Sequence, residues 1–224
     1  MKKIISALLS LLVMASSVSA FAYTDCDNES VTKLTDLKVV DGYEDGTFKP
    51  DALLSRAEFS RLVSVMRGGT AIESEAFRQV DSAFDDMDNS HWAFGYVMYC
   101  NINEMINGYE DGTFRPEENI SLAEALKICL SAIGYHQLIE ENNGEWYVPW
   151  INMALKYGLI DNDSVDPDTK ISRVEAADLI YRTMNLPLCI VTGYGFSNGV
   201  PSTILDFADG NERPFRSLLT ENFQ

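Results

Sequence analysis

The sequence predicts a mainly α-helical fold in which three helix-loop-helix repeats form a pseudo-threefold, three-pronged bundle, followed by a short irregular or β-like tail. Three observations lead to this prediction. A nine-residue motif occurs twice, a Ser-x-x-Glu tetrad occurs three times, and apolar residues follow each tetrad at helical spacing. A single helical hairpin cannot bury its apolar face alone, so we expect the three copies to pack together.

The composition of the 224-residue chain is that of a folded acidic protein. Hydrophobic residues make up 46% of it, which is enough for a sizeable core in one large domain or two small ones. Its 17 Lys and Arg against 34 Asp and Glu give a net charge of −17. Nucleic-acid binding needs a basic surface that displaces phosphate counterions, so the charge argues against such a partner.

Residues 1–22 have the pattern of a secretory signal peptide. Lys2 and Lys3 precede an apolar run over residues 4–14, and small residues follow up to Ala22. A transmembrane anchor needs about 20 apolar residues, so this run is too short for one. We therefore expect an exported protein that has no membrane span after cleavage.

The nine-residue motif predicts a loop that joins two helices. Residues 42–50 read Gly-Tyr-Glu-Asp-Gly-Thr-Phe-Lys-Pro, and residues 108–116 match them at eight of nine positions, 66 residues later. The Asp-Gly pair is typical of a turn, since glycine adopts a positive φ without steric cost. We expect Phe48 and Phe114 to fill the gap between the paired helices.

The Ser-x-x-Glu tetrads predict a capping box at the start of the second helix of each repeat. In a capping box the Ser side chain accepts from the amide three residues later, and the Glu side chain reaches back to the Ser amide. The apolar residues that follow at i, i+3 and i+4 indicate one buried helix face. The three boxes are Ser55 with Glu58, Ser121 with Glu124, and Ser172 with Glu175.

The motifs divide the chain into a signal peptide, three repeats and a tail. Their bounds are residues 1–22 for the signal peptide, 23–70 for repeat 1, 81–135 for repeat 2, 140–186 for repeat 3, and 187–224 for a β-like extension or the stub of a further domain. Repeat 1 is expected to be incomplete at its start, and repeat 3 lacks the glycine-rich loop. In the tail, residues 191–196, 202–207 and 216–220 predict short strands.

Export would make disulfides available to the four cysteines, Cys26, Cys100, Cys129 and Cys189. Four cysteines allow three pairings, and the sequence does not choose among them. Cys100 and Cys129 fall on apolar helix faces, where they would equally suit small buried thiols. There is no Cys-x-x-Cys and there are only two His, so we predict no metal site and no cofactor.

Two patterns that could indicate an enzyme or a calcium site do not hold. In the glycine-rich loop of repeat 2, Tyr109 stands where a calcium loop requires an oxygen ligand. Residues 195–199 read Gly-Phe-Ser-Asn-Gly, which matches the nucleophile elbow, but that fold needs a later His and both His precede this segment. We therefore predict that the chain is not an enzyme.

In their order, these motifs resemble the S-layer homology (SLH) module of bacterial cell-surface proteins. Phe84-Asp85-Asp86, Trp92-Ala93, residues 108–116 and the tetrad at 121–124 reproduce the family pattern in repeat 2, and the resemblance covers about residues 29–186. It implies a three-pronged unit that binds secondary cell-wall polysaccharide linked to peptidoglycan. In the family this polymer often carries a pyruvate ketal, and it binds in grooves between the prongs.

The resemblance also suggests carbohydrate-binding residues, of three kinds. Arginines that directly follow the Ser cap could complete an anion site beside free helix amides, or could simply pair with a nearby acid. Tryptophans at the start of the first helices could stack on a sugar or belong to the core, and loop glycines could serve the turn or approach the ligand. The candidates are Arg56, Arg173, Trp92, Trp146, Gly42 and Gly108. Repeat 2 has Leu122 in place of the Arg.

The function that this resemblance implies is a non-catalytic cell-wall-binding module that holds an exported protein on the bacterial envelope. The alternative is a degenerate SLH scaffold that acts as a protein-protein interaction or assembly module at the cell surface. The loss of the Arg in repeat 2 and of the loop in repeat 3 favours this alternative.

Overall fold

The computed structural model describes residues 23–69, 71–139, 144–162, 164–197 and 200–207. The predicted signal peptide and the predicted strand at 216–220 lie outside the described residues. The helices are α1 (Glu29–Asp36), α2 (Arg56–Met66), α3 (Ala71–Ala76), α4 (Phe94–Ile102), α5 (Leu122–Ala132), α6 (Val148–Lys156) and α7 (Arg173–Met184), and the strands are β1 (Cys189–Ser197) and β2 (Val200–Phe207).

The described residues are mainly α-helical, as predicted. Each repeat contributes one pair of helices, which are α1 with α2, α4 with α5, and α6 with α7. Helix α3 and a short 3₁₀ segment at Phe77–Gln79 connect repeat 1 to repeat 2. The first helix of each pair ends before a residue with a left-handed backbone, at Lys38, Glu104 and Gly158 in turn.

The second helix of each pair begins at the predicted tetrad. The Ser55 side chain accepts from the Glu58 amide at 3.2 Å, and the Glu58 carboxylate accepts from the Ser55 amide at 2.8 Å. The same capping box is formed by Ser121 with Glu124 and by Ser172 with Glu175. These contacts satisfy two of the amides that a helix start leaves without an intrahelical partner.

The helix starts also bond to the neighbouring repeats in a closed cycle. The amide of the first residue of α2 donates to repeat 2, that of α5 to repeat 3, and that of α7 to repeat 1. The hydrogen bonds run from Arg56 N to Glu118 O (2.9 Å), from Leu122 N to Thr169 O (2.8 Å) and from Arg173 N to Ala52 O (2.9 Å). The predicted pseudo-threefold bundle remains a prediction, which this cycle supports.

One hydrophobic core draws on all three repeats. Val63, Leu126 and Ile180, from the second helices of the three repeats, are fully buried. Phe48 and Phe114 are buried beneath their loops. The four cysteine thiols are free, and Cys100 and Cys129 are both buried within helices.

The tail forms an antiparallel hairpin of β1 and β2. Two of the predicted strands are therefore present, at the predicted places. The Cys189 amide donates to the Ile133 carbonyl at 2.9 Å, which attaches the start of the hairpin to the end of α5.

Candidate functional site

The glycine-rich loop of repeat 2 is a tight turn built by its own Asp-Gly pair. The Asp111 carboxylate accepts from the Thr113 amide at 3.0 Å and from its hydroxyl at 2.6 Å, while Gly112 has a φ of 82°. The hydrogen bond from the Thr113 hydroxyl, followed by the one from Arg115, lowers the pKa of Asp111 to about 2. Asp45 and Thr47 form the same contacts in repeat 1.

In repeats 1 and 2, a carboxylate from the start of the repeat holds the end of the glycine-rich loop. Asp86 accepts from the Phe114 and Arg115 amides, both at 2.7 Å. Arg115 has a φ of 59°, a left-handed conformation that is uncommon for a residue other than glycine. The two hydrogen bonds to Asp86 stabilise this conformation.

Repeat 1 has the same opening motif, contrary to the expectation that it is incomplete there. Asp25 accepts from the Phe48 and Lys49 amides at 2.7 and 2.9 Å. Tyr23 lies on Phe48 with ring centroids 5.3 Å apart, as Phe84 lies on Phe114 at 5.2 Å. The segment between this Asp and the loop is five residues shorter in repeat 1 than in repeat 2. The offset of 66 residues that relates the two loops therefore does not relate the two opening motifs, and from the opening motif of repeat 2 it falls within residues 1–22.

The loop glycines leave room for these opening aromatics. A Cβ atom at Gly108 would lie 2.6 Å from the Phe84 ring and 2.7 Å from the Thr113 carbonyl oxygen, and one at Gly42 would collide with the Tyr23 ring. Packing within the repeat therefore accounts for both glycines. Gly108 also lines an open cleft on the described surface.

Arg56 connects repeat 1 to the loop of repeat 2. Its side chain is only 4% exposed, its Nε donates to the Phe114 carbonyl at 2.8 Å, and its Nη1 pairs with Glu124 at 2.9 Å. The guanidinium group also lies over the Tyr109 and Phe114 rings. Of the two alternatives for Arg56, pairing with an acid is therefore the one observed.

The free helix amides that would complete an anion site beside Arg56 are not present. The first two amides of α2, at Arg56 and Ala57, donate to carbonyls of repeat 2, and the third, at Glu58, donates to Ser55. The expectation of an anion site formed by helix amides is therefore wrong for α2. A negatively charged ligand would have to meet side chains instead.

Arg173 makes the equivalent contact between repeat 3 and the loop of repeat 1. Its Nε donates to the Phe48 carbonyl at 2.8 Å and its Nη2 to the Asp41 carbonyl at 3.0 Å. Each Arg thus holds the glycine-rich loop of the next repeat. In repeat 2, Leu122 stands in place of the Arg and faces repeat 3, which has no glycine-rich loop. The Arg and the loop are therefore both absent from the same interface, the one between repeats 2 and 3.

An open cleft, which we call the Arg56 groove, lies between repeats 1, 2 and 3. Its volume is about 560 Å³. Repeat 1 contributes Arg56, repeat 2 contributes its loop and α5, and repeat 3 contributes Trp146, which is 49% exposed. The Lys127 ammonium group lies 5.7 Å from the centroid of the Trp146 ring.

The groove contains two paired cations and one unpaired cation. Arg56 pairs with Glu124 and Arg115 with Asp111, whereas Lys127 has no ion-pair partner among the residues that the structure describes. Burial lowers the pKa of Lys127, and the charge of Arg56 lowers it further.

Neighbouring groups shift the pKa values of Glu124 and Tyr109, which both line the groove. Burial alone would raise the pKa of Glu124, but the charge of Arg56 and the hydrogen bonds from Tyr109 and Ser121 outweigh it and lower this pKa. Burial and the hydrogen bond to Glu124 raise the pKa of Tyr109 to about 12. Glu124 therefore remains ionised at neutral pH and holds Arg56 in place.

The remaining candidates lie apart from this groove. Arg173 lines a second cleft, the Arg173 groove, whose volume is only about 40 Å³. Trp92 is 46% exposed and lines neither groove. The structure thus brings together Arg56, Gly108 and Trp146.

Sequence reasoning missed Lys127 and Tyr109. Lys127 lies three residues after the capping Glu124, on the same side of α5, so its position next to the tetrad was a signal that could have indicated it. Tyr109 lies within the repeated motif itself.

Neither a metal site nor a membrane span is found in the part of the chain that the structure describes. No three His, Cys, Asp or Glu side chains form a cluster that could hold a metal ion. No described helix has both the length and the apolar character that crossing a membrane requires.

The family comparison matches the two loop-bearing repeats. The model of the S-layer homology domain matches residues 25–60 and 83–126. The first match begins at Asp25, the residue that holds the loop of repeat 1. The chain carries S-layer homology domains.

Its relatives are proteins of bacterial cell surfaces. It is 30% identical over 167 residues to the "Middle cell wall protein" of Brevibacillus brevis, covering 69% of this chain and 15% of that protein. It is 29% identical to the "Surface layer protein" of Brevibacillus choshinensis, covering 65% and 14%, and 28% identical to the "Cellulosome-anchoring protein" of Acetivibrio thermocellus, covering 64% and 34%.

The chain thus spans between about a seventh and a third of the length of these curated relatives. The family and these relatives place it at the cell wall or cell surface, and they support a role in cell-surface anchoring.

Proposed function

We propose that this chain is a non-catalytic module that anchors an exported protein to the bacterial envelope by binding secondary cell-wall polysaccharide in the Arg56 groove. One observation carries the proposal. The groove combines open volume, an exposed aromatic ring at Trp146 and the ammonium group of Lys127, which has no ion-pair partner among the residues that the structure describes. The S-layer homology domains of the chain agree with this function.

The groove offers separate contacts for the two parts of an acidic sugar. The face of a sugar ring can stack on Trp146, because an aromatic ring offers a large apolar surface with a polar edge. Lys127, for which the described part of the chain offers no ion-pair partner, can then meet a carboxylate such as that of a pyruvate ketal.

The charge of the whole chain makes this recognition short-range. A net charge of −17 repels an anionic polymer at long distance, and salt screens this repulsion beyond about 8–10 Å. Binding of the wall polymer should therefore depend on contacts within the groove and should improve from low to physiological salt.

A pull-down with purified cell-wall sacculi tests the proposal, using sacculi before and after removal of the wall polysaccharide. We expect retention on intact sacculi only, and a large loss of retention in Lys127→Ala and Trp146→Ala. Trp92→Ala is the matched control, because this equally exposed ring lines neither groove. Equal recovery from stripped sacculi would rule out the polysaccharide as the ligand.

The alternative is a protein-protein assembly scaffold, and it is favoured by the interface between Leu122 and repeat 3, where both the Arg and the loop are absent. Crosslinking on intact cells separates the two proposals. A scaffold should yield protein partners that survive removal of the wall polymer, whereas the anchoring module should be released with it.

A further inference from the structure

The hairpin of β1 and β2 is a two-stranded sheet, so each of its strands has an outer edge. At its base, the Cys189 amide donates to the Ile133 carbonyl at 2.9 Å, and a Cβ atom at Gly134 would collide with the Cys189 carbonyl oxygen. Both backbone groups of Cys189 therefore point towards the end of α5 and away from β2. Cys189 and its partner Phe207 accordingly form a pair that exchanges no hydrogen bonds.

This pair fixes the direction of the backbone groups along β2. In an antiparallel sheet, pairs that exchange hydrogen bonds alternate with pairs that do not. Counting back from Phe207, the backbone groups of the odd-numbered residues of β2 point outward, and those of the even-numbered residues point towards β1. Pro201 is therefore turned outward, which agrees with its lack of an amide hydrogen. The irregularity between Val191 and Gly193 lies in β1 and leaves the alternation along β2 intact.

Of the two outer edges, that of β2 is open and regular. On the β1 side, the end of α5 occupies the base and the irregularity after Val191 interrupts the edge. On the β2 side, no backbone group in the described part of the chain pairs with residues 203–207, and Pro201 limits the open stretch at its other end. An isolated hairpin is marginally stable in water, and an open edge can pair with a further strand.

A run of matching length follows β2 in the sequence. Residues 216–220 read Arg-Ser-Leu-Leu-Thr, five residues for the five of the open stretch. Residues 208–215, which join this run to β2, include an Asp-Gly pair and a proline, and both are typical of a turn. Strands that follow each other in a chain usually lie side by side, so this run is the nearest candidate for the open edge.

Charge favours one register for such a strand. With Arg216 opposite Asp206, oppositely charged residues would lie directly across from each other, which stabilises an antiparallel pair. The same register puts Leu218 opposite Ile204, so that two apolar residues also lie across from each other.

We infer that residues 216–220 bind along the open edge of β2 as a third antiparallel strand, in the register that places Arg216 opposite Asp206. The edge is then covered within one molecule, so it does not pair with a second copy of the chain. This inference does not depend on the proposed function of the Arg56 groove, and its tests involve no saccharide.

Two proline variants test the third strand and its register. Leu219 lies opposite Thr203, so Leu219→Pro removes an amide that bonds to β2, whereas Leu218→Pro, the matched control, removes one that points outward. In amide hydrogen exchange followed by NMR, we expect Thr203 and Leu205 to be protected in the natural chain. Both should exchange several-fold faster in Leu219→Pro and at the natural rate in Leu218→Pro. Rapid exchange of both in the natural chain, or equal rates in the two variants, would overturn the proposal.

A pair of cysteines decides between one molecule and two. Residues across from each other in antiparallel strands have Cα atoms about 4.5–5.5 Å apart, close enough for a disulfide. Ile204→Cys with Leu218→Cys should therefore form an intramolecular disulfide on mild oxidation, as read by peptide mass spectrometry. Ile204→Cys with Leu219→Cys is the control, because these positions lie on opposite faces. A disulfide between two chains would assign the edge to a second copy and overturn the proposal, as would equal yields from the two pairs.

Discussion

Arg56 lies at the boundary between two repeats, and its guanidinium group contacts the loop backbone, a carboxylate and two aromatic rings. A buried charge with this many partners is costly to unpair. Arg56, which the family resemblance suggested as a carbohydrate-binding residue, therefore also stabilises the structure of the groove.

Replacing Arg56 should consequently destabilise the protein. We expect Arg56→Ala to lower the free energy of unfolding by about 3–5 kcal/mol, because it removes a buried guanidinium group and leaves the partly buried Glu124 without its counter-charge. Urea denaturation measures this loss. Arg173→Ala is the matched variant. Its expected loss is smaller, about 1–3 kcal/mol, because Arg173 is more exposed and bonds to backbone carbonyls. A free energy of unfolding for Arg56→Ala equal to that of the natural chain would contradict this account.

Glu124 should make part of the stability depend on pH. Its pKa lies below the ordinary value of 4.5, so the folded state favours the ionised form. Its contribution is fully present above pH 4.5 and is lost as the pH falls through the lowered pKa. Glu124→Gln keeps a side chain that can still close the capping box.

Thermal unfolding of the natural chain and of Glu124→Gln, followed from neutral pH into the acid range, measures this contribution. We expect the variant to unfold at a lower temperature at neutral pH and the two curves to converge below pH 4.5. A difference that stays constant across that range would show that Glu124 does not contribute through its charge.

At the scale of the element, each glycine-rich loop packs under the aromatic residue that opens its repeat. Gly108→Ala should lower the free energy of unfolding by about 1–3 kcal/mol, because the new methyl group would press on both the Phe84 ring and the Thr113 carbonyl. Glu110→Ala, at an exposed position of the same loop, is the control. Chemical denaturation that placed both variants at equal stability would contradict the packing role of Gly108.

Most of the helix starts and strands could be predicted from the sequence, because the patterns that indicate them are local. The capping boxes at Ser55, Ser121 and Ser172 depend on residues three apart, and the first two strands of the tail follow from short apolar runs. The opening of repeat 1 could not be found in the same way. Tyr23 replaces the expected Phe, and a shorter connection shifts it out of the constant spacing.

The site was less predictable than the elements for a physical reason. Its contacts join residues of different repeats, such as Arg56 with Phe114 and Lys127 with Trp146, and no local pattern encodes such pairs. The sequence could indicate that each Arg either binds a ligand or pairs with an acid. It could not show that Arg56 pairs with Glu124 while Arg173 bonds to backbone carbonyls.

At the scale of the whole molecule, the cycle of helix-start hydrogen bonds makes each repeat a support for another. Ser172→Ala removes a cap in repeat 3 and should lower the global free energy of unfolding by about 0.5–2 kcal/mol. Because the repeats share one core, we expect a single, shifted transition in scanning calorimetry. Two separate transitions would indicate that the repeats unfold independently.

The most direct test of the proposed anchoring function is a fluorescence titration with wall polysaccharide, because Trp146 lies in the groove and reports on its own contacts. The expected result is a saturable change in tryptophan emission that persists in Trp92→Phe and disappears in Trp146→Phe. A change that disappears in Trp92→Phe and persists in Trp146→Phe would contradict binding in the Arg56 groove.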